Sequence, residues 1–143
     1  MRAVLAPKVA GLVHLDRATQ HLDLDFLVCF SSMTAALGNP GQADYAAANA
    51  FMDAYATYRN GLVSSGQRQG RTLSINWPLW REGGMAAPGD DEAWTTILRQ
   101  NTGMIPMHTA TGLRALYTAL AAGGDQVLVV EFVEQRGRFV AAA

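Results

Sequence analysis

A chain of 143 residues, half of them apolar, can bury one reasonable core, so a single domain or part of one is expected. Only 16% of the residues are charged and the formal net charge is -1, which leaves no basic stripe for nucleic acid or an anionic membrane surface. The one cysteine, Cys29, excludes an internal disulfide and fits a reducing cytoplasm. The amino terminus carries no long apolar h-region, and no apolar run is long enough to span a bilayer.

Residues 2–18 (RAVLAPKVAGLVHLDRA) put Val4, Leu5, Val9, Leu12, Val13 and Leu15 largely on one face of a helix. Pro7 is tolerated there only near a first turn or at a kink. Lys8, taken alone, reads as a solvated surface group. After the polar HLDLD comes an apolar run of strand length at 26–30, and its lack of alternation predicts a strand buried on both faces. Cys29 inside it reads as a small buried hydrophobe. Ser31 and Ser32 end the run. The loop LGNPGQ follows, punctuated by Gly38, Pro40 and Gly41. It is no phosphate cradle, since neither GxGxxG nor GxxxxGK(S/T) occurs in the chain.

From about 42 to 64 the pattern is helical. Ala46, Ala47, Ala48 and Ala50 form a thin surface open to close approach, and Phe51, Ala54, Tyr55 and Tyr58 a core-facing stripe. TLSINW at 72–77 is a second strand, closed by Pro78. LWREGGMAAPGDD is a long glycine-containing connection of the kind that covers sites. A helix over about 91–100 carries acidic residues in its first turn, as the helix dipole favours. Thr109 is the expected N-cap of a further helix ending at Gly123. A third strand at 126–132 (QVLVVEF) and a short polar tail complete the chain.

Such a run of βαβ units predicts an α/β fold with about three parallel strands and flanking helices. A dinucleotide-binding sheet carries a glycine-rich turn in its amino-terminal half, and none is present. The chain therefore reads as the carboxyl-terminal half of a Rossmann-like, doubly wound sheet, with the nucleotide-binding half missing.

In that arrangement Ser32, Tyr45 and Asn49 converge at the carboxyl end of the first strand, where open α/β sheets place ligands. Lys8 is weighed with them. Reducing a ketone requires a hydride donor, a proton donor for the developing alkoxide, and a group that polarises the carbonyl oxygen. A phenol can donate the proton, but its ordinary pKa is about 10. A nearby ammonium stabilises the phenolate, each unit of pKa corresponding to about 1.4 kcal/mol. A serine hydroxyl can bond the substrate oxygen, and an asparagine one turn from the tyrosine can hold a water or orient the lysine. Spacing by itself does not carry this reading, and Tyr45 alone reads as a half-buried aromatic. No metal is expected, because His14, His21 and His108 lack ligand spacing and only Cys29 could add a thiolate. No GxSxG elbow surrounds Ser31 or Ser32.

FSSMTAALGNPGQADYAAANAFMDA, preceded by APKVAGLVHL and followed by SINWPLWREGGM, resembles the catalytic, carboxyl-terminal part of a ketoreductase domain of a modular type I polyketide synthase. Those domains belong to the short-chain dehydrogenase/reductase superfamily. GMIPMHTATGLRALYTAL and the strand after it resemble the end of such domains, so the likeness spans residues 1–143 as a partial domain.

The resemblance implies that Tyr45 is the catalytic acid, Ser32 the carbonyl-polarising hydroxyl, Lys8 the partner of the tyrosine, and Asn49 the fourth member. Ordinary superfamily members carry lysine four residues after the tyrosine and asparagine on the earlier helix; here the two are exchanged, as in these ketoreductases. Trp77, Pro78 and Leu79 resemble the segment lying along the nicotinamide ring of NADPH. Met85 and its neighbours resemble the lid over substrate, within about 79–106. Gln42 stands where some members that set one alcohol configuration carry tryptophan. INWPLWREGGM is similar to synthases served by a separate acyltransferase.

The implied activity is reduction of a β-ketoacyl chain on the phosphopantetheine of an acyl carrier protein. It would require the amino-terminal half, on the same or another polypeptide, or neighbouring synthase domains; the chain alone would be inactive. The competing expectation is a non-catalytic remnant or docking element of a synthase. Retention of all four residues argues against it.

Overall fold

The computed structural model describes residues 2–83, 96, 99–132 and 139–140. The amino-terminal helix has three parts: α1 (Arg2–Leu5), a π-helical turn (Ala6–Ala10) and α2 (Gly11–Ala18). Helical dihedrals at Leu5, Ala10 and Gly11 make it continuous. Pro7 has no N–H to bond back along the helix, and the wider turn, closed by the Gly11 N–H on the Ala6 carbonyl, absorbs that defect.

There follow β1 (Phe26–Ser32), α3 (Met33–Leu37), α4 (Ala43–Ser64), β2 (Arg71–Trp77), α5 (Thr109–Ala122), β3 (Gln126–Val129) and β4 (Phe139–Val140). The sheet runs β1-β2-β3-β4; the first three strands are parallel and β4 is antiparallel to β3. Three parallel strands with flanking helices are thus observed as expected. The antiparallel β4 lies in the stretch read as a polar tail, and β3 stops short of residue 132. Phe132 instead bridges Met104, while Met107 bridges Trp80. The expected helix at 91–100 and the middle of the lid, Met85 included, lie largely outside the described residues; residues 99–102 are helical.

Strand β2 alternates, and both of its faces are buried. Leu73, Ile75 and Trp77 point into a core with Met107, Ala115, Ala119, Val127 and Val129. Thr72, Ser74 and Asn76 point to the other face and are equally buried, each with no exposed surface. They are covered by polar side chains of α4: Asn60 and Arg59 over Thr72, and Asp53 over Ser74 and Asn76. A smaller core joins Leu12, Cys29 and Met52.

Three expectations are corrected. Strand β1 is not buried on both faces: Cys29 packs on Met52 of α4, but Phe26 and Phe30 on the opposite face are more than half exposed, because α5 packs over β2 and β3 on that side. The buried face of α4 is Ala48, Asn49, Met52, Asp53, Ala56 and Arg59 rather than the aromatic stripe, and Tyr58 points outward. Thr109 is not the cap of α5. Its N–H and hydroxyl both donate to Glu82 from the connection after β2, at 2.8 and 2.9 Å, and His108 takes the N-cap position. The Thr109 N–H, then His108 and the Thr109 hydroxyl, pull the Glu82 carboxyl down to about 2.

The far end of the fold is clamped by Arg59, which is 1% exposed. Its guanidinium donates to Asp16 at 2.6 Å, to the carbonyls of Gln69 and Gly70, and to Thr72. Asp16 also accepts from Tyr55 and Arg68, so α2, α4 and the loop before β2 meet at one buried carboxylate.

Candidate active site

The π turn carries Lys8 to the carboxyl end of β1. Its ammonium donates to the Phe30 carbonyl at 3.4 Å and lies 5.6 Å from the centroid of the Tyr45 ring, inside the range of a cation–π contact. Lys8 is therefore half-buried against the strand end, and the surface reading of it fails. Burial pushes its amine down, while the negative charges available at Cys29 and Asp53 pull it up; the net shift is downward.

Tyr45 stands in the first turn of α4, partly exposed, and its hydroxyl bonds to no described residue. Asn49 follows one turn later and is fully buried. Its Nδ2 donates to the Tyr45 carbonyl at 2.7 Å, whereas its Oδ1 has no partner among the described residues.

Ser32 ends β1 and caps α3, a short helix that sequence reading did not find. Its Oγ accepts from the Thr34 N–H at 3.2 Å and the Thr34 hydroxyl at 3.0 Å. A serine hydroxyl has two acceptor positions and one donor. With both acceptor positions taken by Thr34, the Ser32 hydrogen has no acceptor among the described residues.

Beside Ser32 in the sheet register is Trp77, 5% exposed and packed between the rings of Phe30 and Trp80. Its Nε1 is a second buried polar atom with no partner among the described residues. Pro78 is buried, and the Leu79 carbonyl accepts from the Met107 N–H at 2.8 Å. Gln42 lies just before α4, where it accepts from Asn39 at 3.0 Å.

The structure thus sets Lys8 against the Tyr45 ring, with Asn49 bonded to the Tyr45 carbonyl one turn along α4. Ser32 joins them through its neighbour: Ser31 donates to the Asn49 carbonyl at 3.3 Å. Behind the corner lies a network that sequence reading missed. Asn76 Nδ2 reaches Ser31 Oγ, the Ser32 carbonyl and Asp53 at 3.1, 3.0 and 2.8 Å. The available signal was the alternation T-L-S-I-N-W, which reads as one solvated face rather than as a polar face buried against α4.

A partly buried lysine against a phenol, with a hydroxyl hydrogen and an amide oxygen that have no partner among the described residues, forms a corner suited to passing a proton to a polarised oxygen. The profile of the KR domain family matches residues 1–82, and the chain belongs to that family of ketoreductase domains.

Among its relatives, polyketide synthase PksN of Bacillus subtilis (strain 168) is 60% identical over 128 residues, covering 90% of this chain and 2% of that protein. PksL of the same organism is 50% identical over 138 residues, covering 96% of this chain and 3% of that protein. Among solved structures, a ketoreductase domain from the bacillaene assembly line superposes with a TM-score of 0.85 at 48% identity, covering 92% of this chain and 31% of that one. An N-terminal ketoreductase from the macrolactin assembly line gives 0.72 at 40% identity, covering 92% and 24%. The chain therefore spans about a third of the length of the first of these ketoreductase structures, and only a few per cent of the synthases.

Proposed function

We propose that this chain is the catalytic part of a β-ketoacyl reductase that uses NADPH and acts on a chain tethered to an acyl carrier protein. The observation that carries the proposal is the Lys8 ammonium beside the Tyr45 ring, brought there by a helix remote in sequence. The residues fit the reacting end of the cofactor. An acceptor (Asn49 Oδ1) and a donor (Trp77 Nε1) are buried near adjacent strand ends with no partner among the described residues, as in a site that awaits polar ligand atoms. Trp77, Pro78 and Leu79 would flank the nicotinamide, while its phosphates call for residues outside this chain. When bound there, NADPH would supply the hydride.

The remaining chemistry belongs to the side chains. The Ser32 hydroxyl donates to the ketone oxygen and polarises it; Tyr45 delivers its phenolic hydrogen to that oxygen as it becomes an alcohol. Lys8 stabilises the negative charge left on the phenol. Asn49, with its amide nitrogen held by the Tyr45 carbonyl, keeps an acceptor turned to the same space.

The test is to combine this chain with the amino-terminal half of the reductase and follow NADPH oxidation on a β-ketoacyl thioester. Tyr45→Phe should lower turnover by at least about 100-fold, the lower end of what a positioned acid contributes. Near-normal turnover in that variant sinks the mechanism. A combined protein that folds, yet neither binds NADPH nor reduces the thioester, would favour the remnant reading.

A further inference from the structure

Asp53 has no role in the mechanism above, yet it is buried beside the site. It is 8% exposed, and no cation lies within ion-pair distance among the described residues. Ser74 donates its hydroxyl to one carboxylate oxygen at 2.6 Å, and Asn76 donates Nδ2 to the other at 2.8 Å. Both oxygens act as acceptors, which is the pattern of an ionised carboxylate.

The same Asn76 Nδ2 spans to Ser31 Oγ and the Ser32 carbonyl, while Gln126 donates to Asn76 Oδ1 at 2.8 Å. An amide with two hydrogens for three acceptors is oriented by the charged and shortest one. Asp53 therefore sets how Asn76 grips the end of β1. Packing alone does not call for a charge here, since burying one is costly.

A charge makes sense if something nearby uses it, and Lys8 does. Lys8 lies over the Tyr45 ring and donates to the Phe30 carbonyl, one residue before Ser31, whose Oγ accepts from the Asn76 amide that Asp53 also holds. Across that strand end the charges of Cys29 and Asp53 act on it, and on its own helix Asp16 is held by Arg59 and Arg68. Burial, and the nearby Asp53, push the Cys29 thiol up to about 11, so it carries no charge at neutral pH. That leaves Asp53 as the negative charge that acts on the Lys8 ammonium.

We propose that Asp53 is a positioning residue of the reduction, holding the two serines at the end of β1 through Asn76 and supplying the buried counter-charge to Lys8. The proposal rests on the reductase reading above.

Lys8 is the only lysine in the chain, so labelling with [ε-13C]lysine gives one side-chain signal that reports it alone. In Asp53→Asn the Lys8 titration should move to lower pH by about half a unit or more. Cys29→Ser should leave it unchanged through the neutral range. In the completed reductase, the alkaline limb of kcat/KM for Asp53→Asn should shift the same way, with kcat reduced. Asp53→Glu, which keeps the charge, should restore the limb while kcat stays low, and it decides the matter if Asp53→Asn does not fold. An identical Lys8 titration in the wild type and Asp53→Asn, or an alkaline limb that moves in Asp53→Glu, overturns the proposal. These outcomes are separable from failure of the reductase reading, because the lysine signal needs no turnover.

Discussion

At the scale of single residues, Asp16 illustrates how a buried charge is made tolerable. Burial alone would push its carboxyl up, but hydrogen bonds from Arg59, Tyr55 and Arg68 outweigh that and hold it below its ordinary value of 3.8. The neighbouring Tyr55 phenol is pushed the other way, to about 12, by burial and by its bond to Asp16. A depressed carboxyl stabilises the fold at pH above its unfolded value, and that contribution is lost as pH falls through the folded value. Asp16→Asn should therefore cost roughly 3–5 kcal/mol at neutral pH, because Arg59 is left as an unpaired buried cation. Urea denaturation should show the gap between wild type and variant narrowing as pH falls below about 4, where the unfolded chain begins to take up the proton, and closing as pH passes through the lower folded value. A gap independent of pH would mean that Asp16 acts by shape rather than charge.

Among the elements, two glycines show that the same substitution can fail for different reasons. Gly70 has a φ of +74°, and a Cβ there would stand 2.4 Å from the Leu24 carbonyl oxygen, which is backbone and cannot step aside. Gly70→Ala combines a left-handed conformation with a steric clash and should destabilise by more than about 2 kcal/mol in the same denaturation assay. Gly112 lies inside α5, where alanine ordinarily gains about 1 kcal/mol in helix propensity. Here the Trp80 ring edge lies 2.3 Å from where the Cβ would be. Overpacking of about 1–3 kcal/mol should win, so Gly112→Ala is expected to be destabilising and to shift tryptophan fluorescence as Trp80 is displaced. A more stable variant with an unchanged spectrum would show that the Trp80 ring moves away at little cost. The first helix and α4 matter for a different reason: a widened turn at Pro7 and the first turns of α4 are what set Lys8, Tyr45 and Asn49 around the end of β1.

For the molecule as a whole, β1 is the open side. Its outer edge is unpaired among the described residues, Phe26 and Phe30 are exposed, and the proposed site is built at the carboxyl end of that same strand. No described helix is long and apolar enough to cross a membrane. With no glycine-rich turn in the sequence, titrating NADPH into the chain alone should give no saturable fluorescence change. Adding the amino-terminal half should restore one. Tight binding by the chain alone would contradict the division of labour proposed here.

Much of this was legible in the order of residues. Periodicity over short windows located the first helix, α4, β2 and α5, since amphipathic repeats and turn residues act locally. The wording around Tyr45 pointed to the candidate quartet. Contacts between distant segments were not legible. The alternation in β2 cannot say whether its polar face meets water or α4, so Asp53, Asn76 and Ser31 passed unnoticed. Nor can an apolar run show that its strand lies at a sheet edge, or a lone lysine that a π turn aims it at a phenol. Those features follow from which surfaces pack together, and packing is decided only when the whole chain has folded.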